Sequence, residues 1–127
     1  MKIKMRFIGS LFMTLGIILG ALASHYFKNI LSPESLASFE VGLRYLIYHG
    51  LGMLILSGIE FSTSKTKKIV FFLIFLGTIA FSGSIFILSF KSQIPFSLAW
   101  LGPITPLGGF ALIVAWILTT LTLIKNK

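Results

Sequence analysis

The stretch Phe39-Glu40-Val41-Gly42-Leu43-Arg44-Tyr45-Leu46-Ile47-Tyr48-His49 places charged, phenolic and imidazole side chains inside a long apolar chain. At about 100° per residue, Glu40, Arg44, Tyr48, Tyr45 and His49 fall in that order across one half of a helix. Leu43, Leu46 and Ile47 take the other half. The stretch reads as the polar side of one membrane-spanning helix. Its neighbours read as further spans that could wrap this polar half.

Composition supports a membrane setting. Of 127 residues, 56% are hydrophobic and 11% are charged. A soluble domain of this length cannot hide so much apolar surface, so lipid is the solvent for most of the chain. The absence of cysteine excludes disulfides and thiolate metal sites. A formal charge of +8 raises the question of nucleic acid. The basic residues instead punctuate the apolar runs and form no patch on one face, which argues against that partner.

The first apolar run follows Lys2, Lys4 and Arg6 and extends over residues 7–26, about 20 residues and enough to cross a bilayer. Ala21-Leu22-Ala23 has the look of a signal-peptide cleavage site. The later apolar runs favour a retained span. Gly16, Gly20 and Ser24 recur every four residues, a spacing that lets another backbone approach closely.

Ser32-Pro33-Glu34 reads as a helix start, with serine as N-cap, proline in the first turn and glutamate at the positive end of the dipole. A helix from Pro33 to Phe61 would be about 43 Å long, more than a hydrocarbon core of about 30 Å. Residues 33–40 are therefore expected to be an interfacial helical segment, with the second span at about 42–61. Ser62 to Lys68 reads as a polar turn. The third span is expected over about 69–90 and contains the small, hydroxylated patch Phe81-Ser82-Gly83-Ser84. A loop with Pro95 and Trp100 follows. Thr105-Pro106 reads as the start of the fourth span, at about 105–124, with Gly108-Gly109 in its first turn. Trp100 and Trp116 read as interfacial belt residues.

The positive-inside rule orients the spans. Lys2, Lys4, Arg6, Lys65, Lys67, Lys68, Lys125 and Lys127 fall on one side, which places both termini in the cytoplasm. The opposite leaflet then receives His25, Arg44, Tyr45, Tyr48, His49, Ser82, Ser84, Thr105 and Gly108 from the ends of all four spans. Nothing comparable is expected in the inner leaflet, where Glu60 reads as a partner for Lys65 or Lys67. An ionisable residue within a span usually faces the interior and is paired. Glu40 and Arg44, four apart, read as an ion pair or as part of a site.

Such a chamber suits an anion. Arg44 supplies the charge, His25 and His49 supply hydrogen bonds, and the backbone behind Gly108 opens to a ligand. A lipid head group or a polar or anionic small molecule fits. His25, His49 and Glu40 match no compact metal-ligand spacing, so neither a metal nor a cofactor is expected. No serine–histidine–acid arrangement can be drawn, and acidic groups for general-base work are almost absent, so an enzymatic reading, the third open to the sequence, lacks the reactive pair it needs.

A resemblance covers nearly the whole chain. Gly20-Ala21 with His25 and Lys28, Leu31-Ser32-Pro33-Glu34, Phe39-Glu40, Arg44-Tyr45, Tyr48-His49, Phe81-Ser82-Gly83-Ser84, Leu101 to Gly109 and Trp116 resemble the YgdD/YwdK family of small four-span membrane proteins. The resemblance implies a bacterial inner or plasma membrane protein and brings no established activity, substrate or catalytic residue. Ala23, Ser24 and Leu46 depart from the family's pattern. The expected fold is all-α: one domain of four transmembrane helices, residues 1–127. The expected function is binding in an outward-facing polar pocket. The rival is a structural or accessory subunit, or a homo-oligomer, with Gly16 and Gly20 facing the partner.

Overall fold

A computed structural model describes residues 1–125. Lys127, counted above among the basic residues at one end, lies outside the described residues. The elements in order are α1 (Lys2–His25), α2 (Pro33–Gly58), α3 (Ser64–Thr78), a π-helical turn (Ile79–Gly83), α4 (Ser84–Ser89) and α5 (Ile104–Lys125). Short 3-10 turns cover Phe27–Asn29, Lys91–Gln93 and Ala99–Leu101. α3, the π turn and α4 form one continuous rod, so four helical segments are long and apolar enough to cross a membrane. No strand occurs among the described residues. Both described ends of the chain and the turn after α2 lie at one end of the bundle, here the terminal end. The connections after α1 and α4 lie at the other, the loop end.

Local chemistry sets the boundaries. Ser32 caps α2, its Oγ accepting from the Ser35 amide at 3.2 Å, with Pro33 in the first turn. α2 then runs unbroken to Gly58, so the segment before the second crossing belongs to the same helix. α3 starts earlier than expected. Thr63 caps it, accepting from the Thr66 amide at 3.0 Å, so Lys65 and Lys67 stand in its first turn, with Lys68 just after, and not in a loop. Cations there oppose the helix dipole. Lys67 resolves this by folding back onto the end of α2. Its Nζ donates to the Ser57 carbonyl at 3.1 Å and the Ile59 carbonyl at 2.7 Å. Those carbonyls belong to the negative end of α2, where a lysine completes the cap. α5 also begins a residue early, at Ile104. Thr105 is inside the helix and does not cap it.

Glycines determine how the helices approach. In lipid there is no hydrophobic drive between apolar helices, so close packing and hydrogen bonds must hold them. α1 lies along α2 through Met5, Gly9, Phe12 and Gly16, a stripe of threes and fours. A Cβ on Gly9 would lie 2.7 Å from the Gly50 carbonyl oxygen, and one on Gly16 would lie 2.6 Å from Ile47 Cγ1. The close contact thus includes Gly16 of the Gly16, Gly20, Ser24 register read in the sequence and continues from it towards the terminal end, through Gly9. Gly20 has only ordinary space beside Leu43. α5 approaches the third rod just as closely. A Cβ on Gly108 would lie 2.5 Å from the Phe81 amide nitrogen and 2.8 Å from the Gly77 carbonyl oxygen.

Two cores result. Met5, Phe12, Leu46, Met53, Leu56, Ile74, Leu112 and Ala115 fill the middle and terminal part. At the loop end Phe39 is fully buried, with its ring 4.7 Å from Phe86 and 5.3 Å from Phe27.

Candidate functional site

Over its first 18 residues, down to Gly50, the buried residues of α2 are Phe39, Gly42, Leu46, His49 and Gly50. At about 100° per residue these span an arc of roughly 100°, with His49 at its edge. Glu40, Arg44 and Tyr48 lie on the far side of the wheel and are exposed. The polar half of the helix is therefore turned outward, and α1, α3 and α4 pack on the glycine and aromatic stripe. The reason is geometric: Glu40 and His49 stand about 180° apart, and one packed face cannot hold both. Glu40 and Arg44 form no ion pair among the described residues. Arg44 stands about 17 Å along α2 from Pro33, close enough to the loop end for its long side chain to reach the interface.

The residues expected in one chamber occupy separate places. His25 is exposed at the end of α1. Ser84 and Thr105 meet each other, their hydroxyl oxygens 2.6 Å apart, and Ser84 also donates to the Phe81 carbonyl at 3.0 Å. Ser82 is buried, and its hydroxyl, like that of Thr78, has no partner among the described residues. Both lie at or beside the π turn, where one extra residue re-aims the side chains that follow. Gly108 is a packing contact against that turn.

His49 is the best-defined polar side chain in the bundle, only 6% exposed. Its Nδ1 is 2.7 Å from the Tyr45 carbonyl oxygen. A carbonyl only accepts, so Nδ1 carries the proton and Nε2 offers a lone pair. Trp116 Nε1–H donates to that lone pair over 3.1 Å. Trp116 is thus not a belt residue. It stands twelve positions into the 22-residue α5 and reaches across to α2. Gly52 makes the room: a Cβ there would lie 3.2 Å from Trp116 Cζ2.

Beside this strut a groove of about 880 Å³ runs between α2 and α5. Tyr45, Tyr48 and His49 form one wall, Leu112, Trp116 and Thr120 the other, with Phe81 at the base. The Tyr45 ring lies 4.4 Å from Phe81 and is stacked on His49 at 5.9 Å. Tyr45 is 39% exposed and Tyr48 58%. Neither phenol hydroxyl has a hydrogen-bond partner among the described residues. A second, smaller cleft of about 390 Å³ opens at the loop end between α2, α4 and the start of α5. Of the residues singled out in the sequence for the site, only Thr105 borders it.

The terminal end is more polar than the sequence suggested. Arg6 Nε donates to Ser57 Oγ at 3.3 Å, beside the Lys67 cap, and the Glu60 carboxylate acts on Lys67. No cluster of three or more metal-ligating side chains occurs among the described residues.

Four apolar rods joined by glycine contacts, with a histidine–tryptophan strut inside, define a small multi-pass membrane protein. The chain belongs to a family whose description is "Protein of unknown function (DUF423)", which its residues 19–109 match. A UPF0382 membrane protein of Staphylococcus saprophyticus is 36% identical over 118 residues, 93% of this chain and 94% of that one. A UPF0382 membrane protein of Staphylococcus haemolyticus is 34% identical, covering 93% of each. The UPF0382 membrane protein YwdK of Bacillus subtilis is 31% identical over 120 residues, 93% of this chain and 94% of that one. No solved structure matches the chain.

Proposed function

We propose that the protein recognises a membrane lipid with an anionic head group, its acyl part lying in the groove between α2 and α5. The groove carries this reading: an apolar channel with two phenol hydroxyls on its rim and Arg44 one turn nearer the loop end than Tyr48. A phosphate held at Arg44 forms a charge-assisted hydrogen bond. Tyr45 and Tyr48 donate to the ester region below it, where an unmatched hydroxyl in hydrocarbon is costly. With the basic residues at the terminal end facing the cytoplasm, the groove's charged mouth belongs to the outer leaflet.

The test uses the purified protein in nanodiscs of phosphatidylcholine with and without phosphatidylglycerol. Phosphatidylglycerol is expected to raise the thermal unfolding midpoint of the wild type, and Arg44→Ala is expected to remove most of that rise while leaving the midpoint in pure phosphatidylcholine unchanged. An equal rise in the variant rejects the reading.

The accessory-subunit and homo-oligomer reading drew on the Gly16 and Gly20 stripe. Gly16 is used inside the bundle against Ile47, whereas Gly20 keeps ordinary space beside Leu43.

A further inference from the structure

The cleft at the loop end holds opposite charges that do not meet. Glu34 comes from the first turn of α2 and Lys91 from the turn after α4, and both border the cleft. They form no ion pair with each other or with any other described residue. Four hydroxyl side chains line the same cleft. Ser35 and Ser38 have no side-chain hydrogen bond within the described protein. Ser89 spends its proton on the Ile85 carbonyl at 2.8 Å, so its oxygen is left to accept. Thr105 shares one bond with Ser84 and retains further capacity.

An anion alone would meet Glu34, and a cation alone would meet Lys91. A molecule bearing both signs satisfies both walls. We infer that this cleft binds a zwitterion, an ammonium group directed at Glu34 and a phosphate or carboxylate directed at Lys91, with the hydroxyls of Ser35, Ser38, Ser89 and Thr105 lining the same cleft. A volume of about 390 Å³ suits a group of this size. The same chemistry is carried by a phosphoethanolamine lipid head group and by a free small zwitterion. The site is separate from the groove beside Trp116, and Arg44 does not border it.

The experiment measures the thermal unfolding midpoint of the detergent-purified protein against O-phosphoethanolamine, inorganic phosphate and ethanolamine. A parallel arm replaces the soluble probe with nanodiscs of phosphatidylethanolamine mixed with phosphatidylglycerol, or of phosphatidylglycerol without it. O-phosphoethanolamine is expected to stabilise, whereas phosphate and ethanolamine each stabilise far less. Stabilisation by the phosphatidylethanolamine-containing nanodisc alone assigns the cleft to a lipid head group. Glu34→Gln and Lys91→Gln, both at exposed positions, are expected to keep the unliganded midpoint and to weaken the response about tenfold each, the loss of one charge-assisted bond. Arg44→Ala keeps the full response, which separates this site from the anionic-lipid groove. An equal response to phosphate alone, undiminished responses in both variants, or no response in either arm overturns the inference.

Discussion

His49 shows how one side chain holds two helices in a solvent that offers no hydrogen bonds. Its two ring nitrogens are both occupied, one by its own helix and one by Trp116. Removing the indole N–H strands the Nε2 lone pair in a nearly sealed position. Trp116→Phe is therefore expected to lower the stability of the detergent-purified protein by about 1 kcal/mol. Thermal unfolding followed by circular dichroism reads the change. Trp100→Phe, at an exposed loop position, is the control and should leave the midpoint within error. Trp116 was misread as a belt residue, although counting could have placed it: it lies far from both charged ends of its apolar run, too deep for a belt. His49 was legible as special, its partner was not, because a contact across 67 residues leaves no trace in local spacing.

At the scale of elements, the sequence shows which segments become helices and hides how they rotate. The Ser32-Pro33-Glu34 start and the four apolar runs were readable because caps and hydropathy are local properties. The facing of α2 was not. A polar half that would seek water in a soluble protein has two options in a membrane: it turns inward, or it stays near the interface and reaches out. Glu40 and Arg44 take the second, since Gly42 and Gly50 on the opposite side permit contacts that no larger residue allows. The π turn was equally hidden, although Phe81-Ser82-Gly83-Ser84 marked its position. Close approach at Gly108 makes a prediction here. Gly108→Ala places a methyl against the Phe81 backbone and is expected to cost about 1–3 kcal/mol or more, seen as loss of the folded species on size-exclusion chromatography. Gly20→Ala, with a nearest neighbour at 3.5 Å, should fold normally.

For the whole molecule, the charge asymmetry is the feature that sequence and structure share. Lys2, Lys4, Arg6, Lys65, Lys67 and Lys68 gather at the terminal end, and Lys67 and Arg6 are built into its hydrogen bonding. The chain has no cysteine, so a single introduced thiol reports without background. Ser92→Cys, at the loop end, is expected to react with a membrane-impermeant maleimide added outside intact cells. Ser64→Cys, at the terminal end, should react only after the membrane is opened. The reverse pattern would invert the protein and place the mouth of the groove in the cytoplasmic leaflet. A single chamber could be imagined from the sequence because every polar residue was assigned a depth but only those of α2 a place on the helix wheel, and no helix a rotation against its neighbours; the bundle separates them into a strut, a rim and a cleft.

The π turn between α3 and α4 carries one residue more than a regular helix needs. Were that surplus residue expelled, everything from Ser84 to Ser89 would swing through about 100° about the rod's own axis. Ser84 would unhook from Thr105 and Ser89 would leave the cleft wall, while α3 below stayed fixed against α5. The third rod is thus two half-helices out of phase, and the offset decides which hydroxyls the loop end displays.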